Sequence, residues 1–82
     1  MEKSEIIKFI LSRVNKTGLN FAESQYTERD LEIEKSTKNK LIKIIDDSGN
    51  EFAFLVGNTA EKTLGNLARY TDNLIKTIKE SR

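Results

Sequence analysis

The chain has 82 residues, enough for one small domain with a modest core. Acidic and basic residues nearly cancel, 13 against 14, and hydrophobic residues make up 37%, a balance that suits a globular chain rather than a disordered one. Cys and His are both absent, which removes disulfides, thiolate chemistry, the commonest metal ligand and the usual general base near neutral pH.

The first element predicted is a helix capped by Ser4 and running to about Lys16. Ile6, Ile7, Ile10, Leu11 and Val14 recur at spacings of three and four on one face, with Phe9 at its edge. Gly18 follows where a helix favours a left-handed residue.

From Leu19 to Gly57 the apolar period shortens from 3.6 to 2. "LNFAESQY" reads as a weak strand and "DLEIEK" as a clear one. "LIKIID" and "EFAFLV" are the strongest, joined by the turn "DDSGN". "STKNK" is placed to close the preceding hairpin. No connection between these strands offers a crossover, so an antiparallel meander of three or four strands is expected.

The last element is a long amphipathic helix capped by Asn58 or Thr59, with Glu61 in its first turn. Ala60, Leu64, Leu67, Thr71, Leu74 and Ile78 line one side, flanked by Ala68 and Ile75. Lys62, Asn66, Arg69, Asn73 and Lys76 line the other. The fold class is therefore α+β: N-terminal helix, antiparallel meander, long C-terminal helix, in a single domain over residues 1–82.

Catalytic patterns are missing. The four glycines do not form a phosphate-binding loop, and Ser and Lys residues lack a base beside them. "DDSGNE" is a turn rather than a calcium loop, because aligning Gly49 to the sixth position puts Ile44 at the first. No enzyme activity, cofactor or metal is expected. The apolar run in "MEKSEIIKFIL" is too short for a signal peptide or membrane span, which points to a cytoplasmic protein with no membrane partner.

Two surface features remain. On a strand, Glu28, Asp30, Glu32 and Glu34 would share one face at ~6.5–7 Å spacing, with Leu31 and Ile33 turned inward. Lys43 is expected to pair with Glu32 across strands. The second feature is a sheet that is apolar on both sides. Ile42, Ile44, Phe52, Phe54 and Val56 make the face that both helices should cover, leaving Leu41, Ile45, Ala53 and Leu55 exposed beside the acids.

An apolar centre with an acidic rim fits a non-catalytic binding module that docks on a larger protein with a basic surface. Glu28, Asp30, Glu32, Glu34, Leu41, Ile45 and Leu55 are the partner-binding candidates. In size and element order the chain resembles the small inhibitors that phages make against nucleic-acid-handling host enzymes, anti-CRISPR proteins included. Two further classes stay open. One is a nucleic-acid-binding regulator using Lys62, Arg69 and Lys76 of the last helix, the less favoured because aromatic residues are scarce there. The other is a structural homodimer that buries the second sheet face against its copy.

Overall fold

A computed structural model describes residues 2–57 and 64–81. Helix α1 spans Lys3–Asn15 and buries Ile6, Ile7, Ile10 and Val14, the stripe expected from their spacing. Ser4 lies inside its first turn instead of capping it. Glu2 occupies the cap position and makes no side-chain bond there. The helix ends at Lys16, whose N–H donates to the Ser12 carbonyl, and Gly18 takes the left-handed conformation at φ 90°.

Three strands form one open antiparallel sheet in the order β1–β2–β3: β1 at Phe21–Glu23, β2 at Lys40–Asp46 and β3 at Glu51–Val56. The weak first strand thus contributes only three residues. Asn15, at the end of α1, secures it from the side. Its Nδ2 donates to the Phe21 carbonyl at 3.0 Å and its Oδ1 accepts the Phe21 N–H at 2.8 Å.

The turn between β2 and β3 forms where the sequence places it, and Asp46 organises it. Asp46 Oδ1 accepts the N–H groups of Ser48 and Asn50 at 3.0 and 2.8 Å, while Gly49 supplies φ 86°. The register set by this turn puts Ile42 opposite Phe54 and Ile44 opposite Phe52.

The segment predicted as a strand at 30–35 is a helix. Helix α2 spans Glu28–Thr37, inside the connection from β1 to β2, and Lys38 ends it at φ 58°. "STKNK" is therefore a helix end rather than a hairpin turn.

Helix α3 spans Leu64–Glu80. Leu67, Thr71, Ile75 and Ile78 are buried, whereas Arg69, Asn73 and Lys76 are exposed. The expected caps Asn58 and Thr59, with Ala60, Glu61 and Lys62, lie outside the described residues. Both α1 and α3 pack on the sheet face made by Ile42, Ile44, Phe52, Phe54 and Val56, the face expected to be covered. Arg13 Nη2 joins the two helices by donating to both Asp72 oxygens at 2.8 and 3.0 Å.

Ile6, Ile10, Ile42, Ile44, Leu67 and Ile78 are fully buried, each contributing about 1.5–3 kcal/mol by leaving water. The core is thus one layer between two helices and one sheet face. Among the described residues, no helix is long and apolar enough to cross a membrane.

Candidate functional site

Thr27 begins α2 with a reciprocal cap. Its Oγ1 accepts the Asp30 N–H at 3.2 Å, and Asp30 Oδ2 accepts the Thr27 N–H at 2.8 Å. Glu28 and Asp30 fall in the first turn and Lys35 in the last, each favourable to the helix dipole. These local terms choose helix over strand, although the alternation of Leu31 and Ile33 with acids satisfies a strand period equally well.

At 100° per residue the four acids cannot form a row. They divide into two pairs, each four residues apart. Asp30 and Glu34 turn toward the sheet, while Glu28 and Glu32 face solvent without an ion-pair partner among the described residues. Leu31 and Ile33 are not inward either. They sit on opposite flanks of the helix, 52% and 38% exposed.

Each inward acid makes an anchor. Lys43 Nζ donates to Asp30 Oδ2 at 2.8 Å and lies 3.0 Å from Glu51 Oε1, so its partners are these two and not Glu32. Lys43 itself is only 7% exposed. Its ammonium and then the Thr27 N–H hold the Asp30 carboxyl down at about 2, and the same ammonium lowers Glu51. The pair with Asp30 and Glu51 raises Lys43 in turn.

The second anchor is Glu34. Its Oε2 accepts both Lys3 Nζ, from α1, and the Leu41 N–H, each at 2.8 Å. Burial works to raise the Glu34 carboxyl, but these two donors outweigh it and the net shift is downward. Lys3 Nζ also lies 3.8 Å from the centre of the Tyr26 ring. Desolvation raises the Tyr26 hydroxyl, which accepts the Lys43 N–H and donates to Glu23 Oε2, both at 3.4 Å.

Together these groups close one edge of the sheet. β1 stops at Glu23, and beyond it β2 turns two N–H groups outward. Tyr26 receives the N–H of Lys43 and Glu34 receives that of Leu41, while the Lys43 carbonyl accepts the Ser24 N–H at 2.9 Å. Side chains continue where the strand ends.

The candidate residues therefore fare differently. Glu28 and Glu32 are surface groups, Asp30 and Glu34 are anchors, and Leu41 is buried at 5% exposure rather than interfacial. Ile45 and Leu55 are half-buried, so the expected apolar patch shrinks to these two and Ala53. Four lysines that follow or end the acidic stretch, Lys35, Lys38, Lys40 and Lys43, do not make one basic surface, since Lys43 is enclosed. Thr27, Tyr26 and Lys3 were not among the candidates. For Thr27 the signal was legible, a T-x-x-D spacing before the acids. The other two act across 31 residues and from the connection, where no spacing rule reaches.

Beside Tyr26 lies an open concavity of about 440 Å³ with Ile7 and Leu11 in its apolar lining. Among the described residues, no three acidic side chains are grouped to hold a metal ion.

No family model, curated protein or solved structure matches the chain.

Proposed function

We propose that the protein is a small non-catalytic binding module, an inhibitor or adaptor, that docks on a larger protein through the outward side of α2. The observation that carries this reading is the helix itself. It contributes no buried residue to the core, yet it is fixed by a reciprocal cap and two polar anchors.

Antiparallel neighbours need only a two-residue link, whereas residues 24–39 separate β1 from β2. A ten-residue helix is marginal in water by itself, and ordering each backbone residue costs roughly 1–2 kcal/mol. A connection held this firmly without hydrophobic return is best accounted for by what it displays.

That display is a stripe of Glu28, Leu31, Glu32 and Lys35, spaced as one side of a helix. It fits a partner with an apolar groove for Leu31 and cationic groups for Glu28 and Glu32. Arg29 and Ile33 border it on the far side. Proteins that hold nucleic-acid phosphates present Lys and Arg to them, so an inhibitor of an enzyme of that kind, phage-encoded or anti-CRISPR in type, is the role we infer, acting in the cytoplasm.

The test is comparative capture from cells of the source organism, using wild type and a Leu31→Ser, Glu32→Lys variant at low and high salt. Both positions are exposed, so circular dichroism should be unchanged. A partner retained by wild type, weakened by salt and lost by the variant is expected. Capture that is identical for the two proteins refutes docking through α2.

A further inference from the structure

We propose that two copies of this chain pair edge to edge through β3, making one continuous antiparallel sheet. The inference starts from an asymmetry. The β1 side of the sheet is short and its continuation is closed by Tyr26 and Glu34. The β3 side carries six residues, "EFAFLV", paired to β2 in unbroken register. It has no Pro, Lys or bulge, the devices that usually blunt a free edge.

The ladder fixes which groups point outward. The Leu41 N–H turns toward Glu34, on the side of β2 away from β3. The pair Leu41–Leu55 is therefore a non-bonded one, and alternation directs the N–H and C=O groups of Glu51, Ala53 and Leu55 to the free edge. Of these groups, the Leu55 carbonyl accepts the Tyr70 hydroxyl at 3.1 Å, and the others have no partner among the described residues.

A second copy fits this edge about a two-fold axis that passes between Ala53 and Ala53 of the copy. Ala53 then faces Ala53 of the copy, with Glu51 facing Leu55 on either side, so the outward groups meet their complements, the Leu55 carbonyl accepting the copy's Glu51 N–H on the lone pair that the Tyr70 hydroxyl leaves. The smallest side chain of the strand stands beside the axis, on the outer face, in a hydrogen-bonded pair. On the inner face Phe52 falls opposite Phe54 of the copy, a favoured cross-strand pair of half-buried rings.

The helix layer argues for a copy over an unrelated strand. Tyr70 reaches around the β3 edge, its ring 6.0 Å from that of Phe54, and so brings α3 to the same border. A shallow hollow of about 290 Å³, lined by Tyr70, Asn73, Leu74 and Thr77, opens there. An added strand alone meets the backbone edge, whereas a second copy also brings its own α3 against this hollow. Such a contact is isologous and closes on itself.

Sedimentation velocity from micromolar to about 1 mM, the weak end of specific association, tests the proposal. Wild type should sediment at twice the monomer mass and dissociate on dilution. Ala53→Pro deletes the central outward N–H, which takes no part in the β2 ladder. Ala53→Glu keeps that N–H and sets two carboxylates against each other across the axis. Each should weaken pairing at least a hundredfold with unchanged circular dichroism, whereas Leu31→Ser on α2 should leave it intact. If Ala53→Pro misfolds, Ala53→Glu decides. Amide exchange adds a positional readout, since the N–H groups of Ala53 and Leu55 should gain protection as concentration rises. A monomer at every concentration, a dimer indifferent to Ala53→Glu, or protection gained at β1 instead would overturn the proposal.

Discussion

Replacing Thr27 by Ala isolates how α2 is held. The change deletes one half of the reciprocal cap, leaving the Asp30 N–H without its 3.2 Å acceptor, while Asp30 still accepts the Thr27 N–H and pairs with Lys43. Loss of a Thr cap costs ~0.5–2 kcal/mol, and retention of the other half places this case near ~1. Because α2 buries nothing, that cost should fall on its own opening rather than on the core. A change of ~1 kcal/mol multiplies the opening constant about fivefold. Native-state amide exchange is the assay. The amides from Leu31 to Thr37 should lose about fivefold in protection by this arithmetic, while those of Ile42 and Ile44 stay at the wild-type level. Equal loss in β2 would show that α2 opens only with the whole fold, and no loss in α2 would show that the cap holds nothing.

Two other perturbations probe the core and the anchors. Leu67 is fully buried on α3, so Leu67→Ala should cost about 2–5 kcal/mol, a large part of the roughly 4–12 kcal/mol available to a domain of this size, and a urea melt with an unchanged midpoint would contradict it. Acid should release α2. The Asp30 carboxyl titrates at about 2 in the folded chain and from 3.8 when unfolded, so its contribution is complete above the higher value and is lost as pH falls through the lower one. Glu34 and Glu51 are also lowered and act in the same direction. Amide shifts of α2 followed by NMR should move between about pH 5 and pH 2, and Asp30→Asn should remove much of that movement. An identical titration in the variant would place the acid sensitivity elsewhere.

Several elements were legible because their signals are local. The spacing of Ile6, Ile10 and Val14 identifies α1, and "DDSGN" identifies the turn that Asp46 and Gly49 make. The covered face of the sheet was legible too, since two apolar helices need the side that carries Phe52 and Phe54. α2 was misread because Leu31 and Ile33, two residues apart, satisfy the period of a strand while the cap at Thr27 and Asp30 competes with it. That one error moved the site. Once 28–37 is helical, Asp30 and Glu34 become tethers, Glu28 and Glu32 remain outside, and Leu41 lies buried on the strand against which α2 packs. Lys43 was expected to pair with Glu32 across strands. It is enclosed because Asp30 and Glu51 come to it from 13 residues before and 8 after, distances that no periodicity encodes.

The contact between α1 and α3 has a bearing on the order in which the chain assembles. The turn from β2 to β3 encloses residues 47–50, whereas the described ends of the two helices, Asn15 and Leu64, lie 49 positions apart. Loop-closure entropy grows with the logarithm of length, so bringing the helices together costs about 2 kcal/mol more than closing the hairpin. The hairpin can form early and locally, but it offers Ile42 and Ile44 only one side of a shelter. Ile6, Ile10, Leu67 and Ile78 complete that shelter from the far parts of the chain. Completing the core therefore carries the entropic cost of a long-range encounter that the hairpin by itself does not bear.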